Sequence, residues 1–245
     1  MTAILSTDAS ALRGMTGRAV RIAVVDSGVA AGHPHVGAVS TGHALVGDDP
    51  ADVADRLGHG TAVAAAIREK APDAELIPVR VLDRQLATSA KVLARAIHWA
   101  VDSGAHLVNL SFGTLNEGHV PLFEAALDAA RARGVIVVSA ESQEGTPWYP
   151  GALAGALGVV ARAETPRNAV APAAGALGAV LAASPYPRPI PGVPVERNLS
   201  GVSFAVANAT ALLALSLQAG APHDSVDALL AWVAARAVPE PESTR

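Results

Sequence analysis

The sequence predicts an α/β domain built as a three-layer sandwich, a mostly parallel central sheet flanked by helices, and three observations carry that expectation. Short β-branched apolar runs end abruptly in turn-forming residues, which is how strands buried on both faces read. Patterns of helical period lie between these runs, and alternation of strand and helix calls for crossover connections between parallel strands. The 245 residues are 51% hydrophobic but only 3% aromatic and 16% charged. A core of that composition is made mostly of Ala, Val and Leu, so helices can sit close to the sheet.

Taken in order, Arg21-Ile-Ala-Val-Val25 reads as a buried strand closed by the turn Asp26-Ser27-Gly28. A helix is expected over 61–70 after a Gly-rich entry, then a strand at 76–82, a helix at 89–103 and a strand at 107–110. A helix over 122–133 and strands at 135–139 and 157–161 follow, with helices at 203–218 and 224–237. Segment 184–194 holds five prolines and is expected to be an extended loop. The tail 238–245 is expected to fray. No repeat or shift in composition divides the chain, so residues 1–245 read as one domain.

Eighteen Lys and Arg against 22 Asp and Glu give a net charge of −4. Without a basic run there is no electrostatic footprint for nucleic acid. The chain has no cysteine, which excludes disulfides, thiolate catalysis and Cys-bound zinc. The apolar stretch 205–217 is interrupted by Asn208, Thr210 and Ser216 and is too short to span a membrane. The first residues carry neither a basic nor an apolar signal segment, so a cytoplasmic protein is expected. No cofactor and no metal are expected: His33-Pro34-His35 offers two ligands without acidic or Cys partners at suitable spacing, and reads as a turn.

Three short motifs carry chemistry. Val24-Val25-Asp26-Ser27-Gly28 puts a carboxylate where a strand ends, a position equally natural for a turn-former or helix cap. Asp55-Arg56-Leu57-Gly58-His59-Gly60-Thr61 sets a histidine between glycines at the mouth of a small-residue helix. The glycines let the backbone crowd close while the ring edge stays reachable. Asn198-Leu199-Ser200-Gly201-Val202-Ser203-Phe204-Ala205 places Ser203 at the start of an Ala/Leu-rich helix. There it can serve as an N-cap, or as a nucleophile whose oxyanion would face free N–H groups and the positive end of the helix dipole. An acid, a base and a nucleophile in one domain, each at an element end, favour the catalytic reading of all three. His98 lies beside Trp99 in a helical pattern, and His33, His35, His43, His106, His119 and His223 lack any such context.

Val25-Asp26-Ser27-Gly28, Gly58-His59-Gly60-Thr61 and Gly201-Val202-Ser203-Phe204-Ala205 resemble the three signatures of the subtilisin-like serine proteases, the subtilases. Val108-Asn109-Leu110-Ser111-Phe112-Gly113 and Tyr149-Pro150-Gly151 resemble further family segments in the same order. The resemblance implies a subtilisin-like fold and a catalytic trio of Asp26, His59 and Ser203. It also implies that Ser111, Phe112 and Gly113 pair with an extended substrate, and that the Ser203 backbone forms part of an oxyanion hole. Glu141 and Glu144 would border the pocket for the residue before the scissile bond, where a carboxylate favours a basic side chain. Trp148 and Tyr149 would cover the same rim.

Several positions depart from the family pattern. Gln143 falls where the oxyanion asparagine stands in an ungapped match, and Ser142 would take the place if one residue were skipped. Val202 replaces the threonine before the serine, and Ala207 a proline after it. The segment 62–70 lacks the family's calcium-binding insertion, and His35 stands where a calcium-ligating Asp would be. Only 25 residues precede Asp26, so no folding prosegment is expected. The resemblance therefore points to the small intracellular, calcium-free subtilases that trim a leader or pro-segment from a specific peptide or protein, such as those of quinohemoprotein amine dehydrogenase maturation. The expected function is a serine endopeptidase working through an acyl-enzyme. A catalytically impaired peptide-binding pseudoprotease, and a transpeptidase or macrocyclase on the same fold, are the alternatives.

Overall fold

The computed structural model describes residues 2–83, 87–176 and 178–239. Its strands are β1 (Ala3–Ser6), β2 (Arg21–Asp26), β3 (His43–Ala44), β4 (Glu75–Arg80), β5 (Leu107–Leu110), β6 (Ile136–Ala140), β7 (Ser142–Gln143), β8 (Thr146–Pro147), β9 (Ala156–Ala161), β10 (Ala169–Ala174), β11 (Ala179–Ala183) and β12 (Val238–Pro239). The helices are α1 (His59–Lys70), α2 (Ala90–Asp102), α3 (Val120–Ala132), α4 (Val202–Gln218) and α5 (Val226–Ala234).

Among the described residues ten strands form one sheet in the order β12-β1-β10-β11-β9-β6-β5-β2-β4-β3. Every neighbouring pair from β11 across to β3 is parallel, as the alternation of strand and helix predicts. β10, β1 and β12 extend it with antiparallel pairings. β7 and β8 make a separate small hairpin.

The strand period of two sorts the core into two layers. On β2, Ile22 and Val24 pack with α1 and α4 on one face, while Ala23 and Val25 pack with α2 and α3 on the other. Leu229 and Val233 of α5 join the first layer. Helix α4 is buried at every position from Phe204 to Ser216, as an apolar helix enclosed on all sides must be. Its alanines let it lie against the small-residue face of α1, Ala64 to Ala66. Ser216 Oγ donates to Leu212 O at 2.9 Å, satisfying its polar atom within the helix.

The expected strands and helices are present, with ends that coincide or are moved by at most three residues. Strands β1, β3, β7, β8, β10, β11 and β12 are additional, and β10 and β11 read Ala-Val-Ala-Pro-Ala-Ala and Ala-Val-Leu-Ala-Ala. Alanine gives a weak strand signal; these segments become strands because β9 and β1 offer edges to pair with. Val238 and Pro239, within the tail expected to fray, pair with Ile4 and Ala3 of β1. The rest of that tail, 240–245, lies outside the described residues.

Leu212 is fully buried in the middle of α4. Replacement by alanine is expected to lower the unfolding free energy by about 2–5 kcal/mol, measured by denaturant titration.

Candidate active site

The site forms where the carboxyl ends of β2 and β5 meet the first turns of α1 and α4. Asp26 is the last residue of β2 and is fully buried. Its Oδ1 accepts from Ser27 N at 2.7 Å and lies 2.7 Å from His59 Nδ1. A carboxylate can only accept, so this contact puts the ring proton on Nδ1 and leaves Nε2 as the free acceptor. Asp26 Oδ2 is buried without a partner among the described residues.

His59 opens α1 after Gly58, whose left-handed backbone (φ 81°) turns the chain into the helix. Gly60 makes the close approach. A Cβ there would overlap Gly28 O and stand 3.0 Å from Asp26 Cβ, so any larger residue would force α1 away from the end of β2. Gly60 N also donates to Ser27 Oγ at 3.0 Å, tying the two turns together.

Asp55, part of the His motif but with no role legible from the sequence, organises this junction. Its Oδ1 accepts from Ser27 Oγ (2.8 Å), Leu57 N (2.9 Å) and Gly58 N (2.8 Å), and its Oδ2 accepts from Thr61 N (2.9 Å) and Thr61 Oγ1 (2.6 Å). The available signal was an Asp just ahead of a helix start with a hydroxyl at Thr61, the composition of a capping arrangement. Burial raises the Asp55 pKa, but the bonds from Thr61, Leu57 and Ser27 outweigh it and hold the carboxyl below its usual value. Burial likewise pulls the His59 pKa down. The bond to Asp26, then the charges of Asp26 and Asp55, overcome that and leave it raised.

Ser203 is the second residue of α4, where backbone N–H groups lack helical acceptors. Ser111, just beyond β5, donates from Oγ to the Ser203 carbonyl at 3.4 Å. The imidazole of His59 lies between two rings, with centroid distances of 5.4 Å to Phe112 and 6.1 Å to Phe204. Its side chain is 21% exposed. Ser203 Oγ makes no hydrogen bond to that ring among the described residues. Such bonds are commonly long in ligand-free enzymes and tighten on binding.

A Cβ at Gly113 would overlap Tyr149 O and the indole of Trp148, so the indole packs directly against Gly113. Thr114 and Tyr149 exchange two 2.9 Å backbone bonds as an antiparallel bridge. Thus Asp26, His59, Ser111, Phe112 and Ser203 come together, with Gly113 under the indole. Gln143 is exposed on the β7–β8 hairpin, opposite Thr146. Glu144 occupies its turn with φ 51° and is exposed. Glu141 is 4% exposed, and its Oε1 accepts from Ala176 N in the turn between β10 and β11. Three of the other histidines have clear structural partners: His106 Nδ1 accepts from Arg21 N at 3.0 Å, His223 Nδ1 lies 2.7 Å from Gly134 O, and His43 stacks on Trp99. No group of three or more His, Asp or Glu among the described residues is placed to hold a metal ion. No described helix is long and apolar enough to cross a membrane.

Comparison with known proteins bears on this arrangement. The sequence profile of the Subtilase family matches residues 17–242. Subtilisin Savinase of Lederbergia lenta is 33% identical over 211 residues, covering 82% of this chain and 74% of that protein. An alkaline protease of Alkalihalobacillus alcalophilus is also 33% identical over 211 residues, again 82% of this chain but 52% of the relative, so the chain spans about half of that protein's length. The solved structure of sphericase superposes with a TM-score of 0.70 at 26% identity, covering 88% of this chain and 82% of that one.

The raised pKa of His59 is directly measurable. In an NMR titration its ring is expected to protonate above 6.5, the ordinary value. Asp55→Asn, which removes a charge outside the hydrogen-bonded pair, is expected to move the titration downward. An unmoved midpoint would remove Asp55 from the electrostatics of the ring.

Proposed function

The chain belongs to the Subtilase family, and from that membership we propose that it is a serine endopeptidase whose catalytic residues are Asp26, His59 and Ser203. The observation that carries the reading is the 2.7 Å pair of His59 Nδ1 and Asp26 Oδ1, which holds the ring proton on Nδ1 and leaves Nε2 free to act as the base.

A serine hydroxyl is a weak nucleophile until a base removes its proton. Ser203 Oγ attacks the scissile carbonyl carbon as its proton passes to His59 Nε2. The imidazolium so formed is stabilised by Asp26, which remains ionised, and by the more distant charge of Asp55. The tetrahedral oxyanion is met by the Ser203 backbone N–H at the positive end of α4 and by the side-chain amide of Gln143. His59 then gives its proton to the departing amine, leaving an ester on Ser203 Oγ. Water, deprotonated by the same nitrogen, hydrolyses that ester and restores the hydroxyl. Because neutral His59 is the working form, activity falls as pH drops through its raised pKa.

The substrate is an extended peptide whose backbone pairs with Ser111–Gly113, with exposed Glu144 expected to influence the residue before the cut; Glu141, buried with its carboxylate taken up by Ala176 N, drops out of that pocket. The role is limited processing, removal of a leader or pro-segment from a particular peptide or protein, with the cytoplasm as its place of action.

A fluorophosphonate is expected to label Ser203, and Ser203→Ala to abolish the labelling and reduce kcat by at least about 10³-fold. Labelling at another residue, or equal turnover by the variant, would refute the assignment. Gln143→Ala is expected to lower kcat by about 10²–10³-fold with little change in KM if its amide meets the oxyanion; a full-rate variant would remove Gln143 from the hole.

A further inference from the structure

We propose that a second pocket, between α1 and the proline-rich loop preceding Ser203, reads the leaving-group half of the peptide, accepting an aliphatic side chain with an acidic residue beside it. This deepens the preceding reading and rests on it. The pocket has a volume of about 400 Å³ and is lined by Gly58, Ala62 and Ala65 on one side and by Arg188, Ile190 and Leu199 on the other.

Its position fixes which half of the substrate it meets. Gly58 directly precedes His59, and Leu199 lies four residues before Ser203, so the pocket adjoins the segments carrying both base and nucleophile. Ser111–Gly113, the segment for the acyl half, contributes none of its lining. Phe112 of that segment meets the imidazole directly. The chain of a peptide passing the ring must therefore leave the Ser111–Gly113 segment and continue toward α1 and the loop.

Apolar surface selects the first part of the occupant. Large exposed apolar side chains gather on this loop: Ile190 is 51% exposed, Val195 44% and Leu199 64%, a concentration that marks a contact surface. Ala62 and Ala65 give the opposite wall methyl-lined depth.

The wall is held in place before any peptide arrives. Asn208, fully buried inside α4, donates from Nδ2 to Ser184 O at 2.9 Å and Tyr186 O at 3.1 Å. Gly201 N donates to Pro185 O at 3.0 Å, and Asn198 Nδ2 to Arg188 O at 3.2 Å. With prolines fixing φ along the loop, little ordering remains to oppose binding.

Charge selects the second part. Asp55, the acid on the lining, already has its oxygens engaged by Ser27, Leu57, Gly58 and Thr61. Arg188 makes no ion pair among the described residues. Its charge is felt by buried Lys70, whose pKa burial, foremost, brings down to about 8 and to whose lowering Arg188 adds. An unpaired guanidinium at the edge of an apolar pocket attracts a carboxylate next to the seated aliphatic group.

The test is digestion of a mixture of synthetic peptides of randomised sequence by the full chain, with residues on the C-terminal side of each cut read by mass spectrometry. The expected result is Leu, Ile and Val over Gly by about tenfold at one position, and Asp and Glu over Lys and Arg by about threefold beside it. Arg188→Glu is expected to reverse the charge preference and keep the aliphatic one. Ala62→Phe, which fills the pocket, is expected to shift the aliphatic position toward Gly. Each is a ratio within one digest, so a change in overall rate cancels; should either variant fail to fold, the other carries the test. Absence of preference on that side, a preference unchanged in the variants, or no peptide cut by a chain whose Ser203 reacts with a fluorophosphonate would overturn the proposal while sparing the preceding reading. Failure of Ser203 to react at all would remove both.

Discussion

The contact between Asp26 and His59 is the constraint on which the rest of the site depends. A buried carboxylate is costly unless its charge is met, and here it is met by one backbone N–H and one imidazole. That pairing requires the first turn of α1 to press against the end of β2. Only glycine at position 60 permits it, since a side chain there would overlap Gly28 O. The site is thus set by the absence of an atom as much as by the presence of functional groups.

Asp55 turns this contact into a rigid unit. Its two oxygens gather the Ser27 hydroxyl, the Thr61 hydroxyl and three backbone N–H groups, so the turn after β2, the loop before α1 and the first turn of α1 share one anchor. The same carboxylate adds negative potential at His59, joining Asp26 in holding the ring's pKa up against burial. Structural order and basicity come from the same residue, although it does not touch the ring.

Helix α4 has two duties that its composition reconciles. Its body is buried throughout and fills the layer beside α1, while its N-terminal turn, at Ser203, reaches the cleft. Two of the polar residues within that apolar body fix the surroundings. Asn208 clamps the base of the proline-rich loop, and Thr210 Oγ1 lies 3.0 Å from Asn109 Oδ1 of β5. The nucleophile-bearing turn, the loop that precedes it and the strand that leads into Ser111 are therefore tied to one helix.

Much was legible along the chain. β-Branched runs closed by turns gave the inner parallel strands, because strands buried on both faces need continuous apolar stretches; glycines flanking His59, a strand-ending Asp26 and a helix-starting Ser203 gave the catalytic candidates. Alanine-rich β10 and β11 were not legible, since alanine states no preference and the edge of β9 decides. Nor was the pairing of Val238 and Pro239 with β1, or the turn of Glu141 toward Ala176. Sequence by itself determined which groups are available and at which element ends they stand, because local periodicity and turn chemistry act over a few residues. Tertiary structure alone decided how near Asp26, Asp55 and His59 lie, which glycine must be bare and where the proline-rich loop folds back, because those depend on atoms brought together from distant parts of the polymer.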